Sequence, residues 1–260
     1  MTSYQENLSS NLEVVEVHAP IDDSKSPFGG VAMVRGLLAA GMLVFSLVVS
    51  GLGAWEAGKF WIYEINGGVP PWSPNAPGSL VTLEIVCVLA VEGGSAVLGV
   101  LYYTADEMRT WVARTVEGTL RQADGDWLPP AWEAGLTWQV NERVRGEVGA
   151  PLESALPGGE EAEVWPLSYF DSSTDGPFLE VLYSPAHGLE VWERWAAPCC
   201  SGTRQLVGRG VLSEEGALSL VFEGVRLMRS QGLVEEALAV ATRLIELGFE
   251  RARALLAPPG

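Results

Sequence analysis

Two long apolar stretches in the first half of the chain limit the folds that are open to it. The first runs over residues 36–55 and carries no charged side chain. The second runs over residues 79–103 and carries only Glu84 and Glu92. About 20 residues at a helical rise of about 1.5 Å cross roughly 30 Å, which is the thickness of a hydrocarbon core. The sequence therefore predicts a two-helix transmembrane hairpin over residues 31–104.

Aromatic residues flank both stretches, as they do at membrane interfaces, where an amphipathic ring suits the headgroup region. This distribution favours a membrane span over a buried helix of a soluble domain for the second stretch. A signal peptide is disfavoured for the first stretch, because an acidic tail over residues 1–30 precedes it. The aromatic residues are Trp55, Phe60, Trp61, Tyr63 and Trp72 between the stretches, and Tyr102, Tyr103 and Trp111 after the second.

The distribution of Lys and Arg predicts the orientation of this hairpin. Lys59 is the only basic residue of the connecting loop, whereas Lys25, Arg35, Arg109, Arg114 and Arg121 flank the two stretches. Basic residues favour the cytoplasmic side. We therefore expect a multi-pass protein of the plasma or inner membrane with both termini in the cytoplasm.

Glu84 and Glu92 are the most unusual residues of the second stretch. An ionised carboxylate at the centre of a bilayer costs about 2.5–3.5 kcal/mol or more. On a helix, Glu84 and Glu92 share one face with Ser95 and Gly99, which predicts an intramembrane polar face. Three interpretations are open: contact with a neighbouring helix, a proton or cation relay, and the lining of an oligomeric pore.

Small residues recur in the first stretch at four-residue spacing. Gly36 and Ala40 form one such pair, and Ser46 and Ser50 another. Small residues on one face of a membrane helix allow close helix packing. We therefore expect these four positions to contact another helix.

The remainder of the chain is predicted to be cytoplasmic and to have two parts. Residues 105–160 are expected to form an amphipathic helix over residues 106–122 and a linker rich in Trp and Pro. Residues 161–260 are expected to form a small α+β domain. Its predicted antiparallel meander has strands over 164–170, 178–183 and 189–195, with a further strand in 205–212. Two helices follow, the first beginning at Ser213 and the second running from Val234 to Leu256.

Composition and motifs exclude several function classes. The formal charge of −17 and the lack of a basic stripe argue against nucleic-acid binding. His187 precedes Cys199 and Cys200 closely, but adjacent cysteines chelate zinc poorly, so no metal site is predicted. Residues 171–176 resemble the start of a calcium loop, but the twelfth position would be Leu182 rather than glutamate, which favours a hairpin turn. No catalytic residue and no cofactor are predicted.

The predicted function follows from this architecture. We expect a non-enzymatic accessory or structural subunit of a larger membrane assembly, anchored by the hairpin and carrying a cytoplasmic interaction domain. Its partners would be the lipid bilayer and other membrane subunits or further copies of itself. The alternative is an oligomeric effector or channel-like protein in which Glu84 and Glu92 line a proton or cation path.

Overall fold

The computed structural model describes residues 55–67, 81–92, 95–104, 108–116, 125–173, 175–197 and 200–257. In these ranges the chain forms strands, two α-helices and a 3₁₀ helix. The strands are β1 (Lys59–Gly67), β2 (Val81–Glu92), β3 (Ser95–Thr104), β4 (Met108–Val116), β5 (Thr137–Gln139), β6 (Val144–Val148), β7 (Leu152–Ala155), β8 (Glu161–Asp171), β9 (Leu179–Ser184), β10 (Leu189–Ala197) and β11 (Cys200–Val211). The helices are α1 (Glu214–Ser230) and α2 (Val234–Glu246), followed by the 3₁₀ helix Glu250–Leu256.

All described strands belong to one antiparallel sheet. Its order is β4-β3-β2-β1-β11-β10-β9-β8-β6-β5, and β7 pairs with β8 beside this path. Most neighbours in the sheet are also consecutive in sequence, as in a meander. Two pairs are exceptions: β6 pairs with β8, and β1 pairs with β11, from Lys59 opposite Val211 to Gly67 opposite Gly202. The β1–β11 pair joins the first described strands to the last one.

The second apolar stretch is a β-hairpin rather than a membrane helix. Strand β2 ends at Glu92, strand β3 begins at Ser95, and these two residues are opposite each other in the register. Both strands have buried apolar side chains on both faces of the sheet. A strand that is covered on both faces reads as a continuous apolar run, which periodicity cannot distinguish from a buried helix.

The predicted fold class, a membrane helical hairpin with a small α+β domain, is therefore wrong. None of the helices within the described ranges is both long enough and apolar enough to cross a bilayer. The predicted multi-pass location in the plasma or inner membrane depended on such helices and is therefore also wrong. The predicted amphipathic helix over 106–122 is also wrong, because residues 108–116 form strand β4. The first apolar stretch lies outside the described residues, except for Trp55.

The C-terminal third follows the sequence prediction closely. Strands β8, β9 and β10 and the last part of β11 correspond to the predicted strands. Helix α1 begins as expected, with the Ser213 hydroxyl accepting a hydrogen bond from the Gly216 N–H at 3.0 Å. Helix α2 stops at Glu246, because Gly248 adopts a φ of 94° that is incompatible with a continuing helix. The predicted helix to Leu256 is therefore divided into α2 and the 3₁₀ helix.

The sheet separates two hydrophobic cores. The helix-side core lies between the helices and strands β1–β4; Cys87, Val97 and Leu101 of the sheet and Val221 and Leu244 of the helices belong to it. The inner core covers the opposite face of strands β1–β3 and continues along β8–β11. It also includes Trp127 and Trp138 from the segment predicted to be a linker. The segment predicted to be a linker therefore contributes residues to the core.

Candidate functional site

A cluster of charged side chains is buried in the inner core. Arg204 of β11 is 4% exposed and lies among three buried glutamates. Its Nε donates to Glu84 Oε2 at 2.7 Å, and its Nη2 is 3.3 Å from Glu84 Oε1. Its Nη1 donates to Glu193 Oε1 at 2.9 Å and to Glu190 Oε2 at 3.3 Å. The guanidinium thus uses its planar fork on one carboxylate and its remaining amino group on two others.

Tyr63 completes this cluster from strand β1. The guanidinium carbon of Arg204 lies 3.4 Å from the centre of the Tyr63 ring, within the range of a cation–π contact. Burial raises the pKa of the Tyr63 phenol far above its ordinary value, so the ring stays neutral. We refer to Tyr63, Glu84, Glu190, Glu193 and Arg204 as the buried charge cluster. Its members come from four adjacent strands, β2, β1, β11 and β10.

A bulge in strand β10 brings two of the glutamates to the same face. Residues three apart in a regular strand point to opposite faces. In β10, Glu190 pairs with Tyr183 and Trp192 with Leu182, so that Val191 is an extra residue. The extra residue turns Glu190 to the side of Glu193, and both side chains reach the same Nη1 atom of Arg204. Bulges commonly re-aim side chains next to functional sites.

The cluster holds more negative than positive groups. Three carboxylates and one guanidinium leave a formal charge of −2 when every carboxyl group is ionised. Desolvation raises the pKa of Glu84, and the nearby Glu193 and Glu190 raise it further, against the opposing attraction of Arg204. Buried charges are costly unless they are paired, so the three carboxylates depend on their contacts with Arg204.

A narrow, half-open cleft adjoins the buried charge cluster. Its enclosed space is about that of one water molecule, and the rest of the roughly 260 Å³ around it is open to solvent. Trp55, Trp61 and Tyr63 line it together with Val86 and residues 188–190. The rings of Trp55 and Trp61 meet edge to face, with centroids 5.6 Å apart. Tyr63 and Glu190 belong to both the cleft and the cluster, so the two features share a wall.

The structure separates the residues that were predicted to share an intramembrane polar face. Glu84 enters the buried charge cluster on the inner side of the sheet. Gly99 lies on the helix side, where an added Cβ would be 2.4 Å from Val221 Cγ2. Glu92 is exposed and Ser95 half-buried at the end of the hairpin, about 25 Å along the strand from Glu84. The predicted packing positions Gly36, Ala40, Ser46 and Ser50 lie outside the described residues.

Sequence reasoning missed four members of the cluster: Tyr63, Glu190, Glu193 and Arg204. Glu84 was noticed because it interrupts an apolar run. Arg204 interrupts no comparable run, and it lies 120 residues from Glu84 in sequence. An available signal was the pair of glutamates in a strand otherwise rich in apolar residues, Leu189–Ala197.

His187 forms a second polar arrangement, at the turn between β9 and β10. Its Nδ1 lies 3.0 Å from Ser184 Oγ, and its Nε2 lies 3.2 Å from Glu160 Oε1. This order of groups resembles a serine–histidine–carboxylate triad. However, Ser184 has no exposed surface, and its hydroxyl lies 3.2 Å from the Glu163 carbonyl, to which it donates. The arrangement therefore stabilises the turn, and Arg209 of strand β11 forms an ion pair with Glu160.

Metal-binding geometry is absent from the ranges that the structure describes, since they hold no group of three or more His, Cys, Asp or Glu side chains placed to bind an ion. The Asp171 carboxylate, predicted to lie in a hairpin turn, accepts hydrogen bonds from the N–H and hydroxyl of Ser173 at 2.8 and 2.6 Å. This turn joins β8 to β9, as the sequence predicted.

No protein-family model matches the chain, and comparisons with curated proteins and with solved structures give no significant match. The geometry of the cluster and the cleft is therefore the basis on which a function is proposed.

Proposed function

We propose that the protein is a non-enzymatic binding protein whose ligand site is the cleft beside the buried charge cluster. The observation that carries this proposal is that Tyr63 and Glu190 belong to both features. The cluster holds these two side chains in place through Arg204, so the wall of the cleft is fixed before a ligand arrives. Preorganisation of this kind lowers the entropic cost of binding.

The composition of the cleft also supports a binding role. Small-molecule sites are concave and mostly aromatic or apolar, with a few fixed polar groups. Trp55, Trp61 and Tyr63 supply the aromatic surface, and Glu190 supplies a charged group. The Nε1 atom of Trp55 is buried and has no hydrogen-bond acceptor among the described residues. A buried donor of this kind is costly unless a further group satisfies it.

The proposal keeps the interaction role expected from the sequence and omits the membrane anchor. Two tryptophans, Trp55 and Trp61, line the cleft in which the interaction is proposed. The anchor depended on a helical hairpin that includes residues 79–103, where the structure has strands β2 and β3.

The experiment is a binding survey with four butyl compounds that differ only in their polar group: n-butylguanidinium, n-butylammonium, n-butanol and butyrate. The readout is the NMR signals of the indole N–H groups, assigned with Trp55→Phe and Trp61→Phe variants. We expect at least one compound to shift the Trp55 and Trp61 signals in a saturable manner. If no compound moves either signal, the cleft is not a ligand site and the proposed function is wrong.

A further inference from the structure

We infer that the enclosed part of the cleft binds one ordered water molecule, which bridges the indole N–H of Trp55 and the carboxylate of Glu190. A ligand in the open part of the cleft then contacts Glu190 through this water, and this second step rests on the proposed function. Three features of the described residues lead to the water: a buried donor, an acceptor in the same cleft and the size of the enclosed space.

The donor is the Nε1–H group of Trp55, one of the residues that line the cleft. The nitrogen is buried, and no acceptor for it lies among the described residues. The ring is held in place, because it meets Trp61 edge to face at 5.6 Å and packs against the inner core. An indole nitrogen only donates, and a buried donor is costly unless an acceptor reaches it. A further group is therefore expected at this wall.

The acceptor is the carboxylate of Glu190 on the opposite side of the shared wall. Glu190 is 5% exposed, and its Oε2 lies 3.3 Å from Arg204 Nη1, so the carboxylate is fixed in position. Glu190 takes part in a further interaction as well. A carboxylate has about four lone-pair positions, so it accepts a hydrogen bond from water alongside these contacts. Trp55 Nε1 does not reach it directly, so a bridge is needed.

The enclosed space limits the bridge to a single small molecule. It is about the size of one water molecule, and anything larger stays in the part that is open to solvent. An apolar cavity of this size stays dry, whereas a cavity with suitable hydrogen-bond partners holds a water. Trp55 and Glu190 supply a donor and an acceptor, so the enclosed space belongs to the second kind.

The two partners also select water over an ion. The bridging molecule must accept a hydrogen bond from Trp55 and donate one to Glu190. A metal ion or an ammonium ion has no lone pair with which to accept from the indole. A chloride ion has no proton to donate to the carboxylate. Water does both, and its size matches the enclosed space.

A bridging water changes how the proposed ligand is recognised. A water that joins a protein group to a ligand is enthalpically nearly as good as a direct hydrogen bond. Displacing a well-ordered water loses affinity unless the ligand reproduces its hydrogen bonds. A ligand of the cleft is therefore expected to lie in the open part, against the rings of Trp55 and Trp61, and to bind Glu190 through the retained water.

The test is an NMR measurement of magnetisation transfer from water to the methyl groups of Val86. Val86 lines the cleft and is 1% exposed, and its methyl protons do not exchange with solvent. We expect a water signal with opposite signs in the NOE and ROE spectra, as for a water that tumbles with the protein. Val225, which has no exposed surface in the helix-side core, is the control and is expected to give none. Absence of the signal at Val86 overturns the inference.

Two tryptophan variants test the partner of the water. Trp55→Phe removes the donor and is expected to abolish the signal at Val86. The matched control is Trp132→Phe, which alters a half-buried indole that stacks on Tyr183 and does not line the cleft. It is expected to keep the signal. An unchanged signal in Trp55→Phe would contradict the inference, because a signal relayed through the Tyr63 hydroxyl would also survive this change. If Trp55→Phe fails to fold, the result on the unaltered protein decides.

The four butyl compounds separate this inference from the proposed function. A compound that saturably shifts the indole signals is expected to leave the water signal at Val86 in place. Loss of the water signal on binding would overturn the water-mediated contact. Indole shifts in a protein that gives no water signal would overturn the inference and leave the proposed function intact. If no compound shifts the indole signals, the proposed function is wrong, and the signal at Val86 still decides whether the water is bound.

Discussion

The two cores of this molecule differ in the polarity of their side chains, although they lie on opposite faces of the same strands. The helix-side core has no charged side chain among its described members. Its polar groups are the thiol of Cys87, whose pKa burial raises to about 12, and Thr110, whose N–H lies 3.1 Å from Met228 Sδ. The inner core contains a guanidinium and three carboxylates among its apolar side chains. An apolar core tolerates change in proportion to volume, whereas a buried ionic cluster depends on every partner being present. The difference indicates that the inner face is the specialised one.

The largest effect is expected from Arg204→Met. This change removes the only cation of the cluster and leaves three buried carboxylates, so we expect a loss of about 3–5 kcal/mol in the free energy of unfolding. Urea denaturation of the purified variant measures it. The control is Arg243→Met, which breaks an exposed pair with Glu246 and should change stability little. Equal stability of the two variants would show that the cluster is not a structural element of the inner core.

A smaller effect is expected on the helix side from Gly99→Ala. The added Cβ would lie 2.4 Å from Val221 Cγ2, so the Val221 side chain or helix α1 must shift, at a cost of about 1–3 kcal/mol. Gly208→Ala is the control in another strand, because its nearest neighbour is the flexible end of Ile62 at 3.2 Å. Thermal unfolding of both variants compares them. A loss in Gly208→Ala as large as that in Gly99→Ala would argue against a close approach specific to the helix-side core.

The cluster should also give the inner core a dependence on pH that Glu84→Gln removes. The pKa of Glu84 is raised by burial above its ordinary value of 4.5. A raised pKa means that the folded state holds the proton more tightly, so the contribution to stability is present below about pH 4.5 and is lost as the pH rises through the folded-state pKa. We therefore expect the unaltered protein to lose stability relative to Glu84→Gln as the pH is raised. Denaturant titrations at several pH values test this, and a constant difference would contradict it.

The smallest effect, of opposite sign, is expected at Glu160. Hydrogen bonds from Arg209 and His187 hold the pKa of its carboxyl below 4.5, so its contribution is present above that value and is lost as the pH falls. Because Glu160 is at the surface, the change should be slight. Melting temperatures of Glu160→Gln and the unaltered protein between about pH 3 and 5 measure it. A steeper decline in the variant on acidification would exclude this role of Glu160.

Local signals predicted the parts of the fold in which neighbours in sequence decide the structure. Turn residues between strands β8, β9 and β10 and the Ser213 cap of α1 were visible in the sequence, and those elements are present. The stretch that forms strands β2 and β3 was mistaken for a membrane helix, because its apolar side chains are buried on both faces of the sheet. Gly93 and Gly94, which stand between two apolar runs, are a two-residue hairpin signal that the interpretation as one continuous span left unused.

The candidate site was less predictable, because its members meet through long-range pairing. Glu84 attracted attention as a carboxylate in an apolar run, and its burial confirms that it is unusual. The contact between Glu84 and Arg204 depends on the pairing of β1 with β11, because that pairing brings Arg204 close to Glu84. The position of Glu190 depends on a one-residue bulge at Val191. Neither the pairing nor the bulge has a local sequence pattern that specifies it.

The pairing of β1 with β11 has a consequence for how the protein is made. Glu84 leaves the ribosome 120 residues before Arg204 does. At synthesis rates of about 5–20 residues per second, Arg204 is added roughly 6–24 s after Glu84. Until then β1 lacks its neighbouring strand β11, and the Glu84 carboxylate cannot be buried together with the guanidinium of Arg204. Contacts of such high sequence separation form slowly. The inner core is therefore expected to close only after the last strand of the sheet has been synthesised.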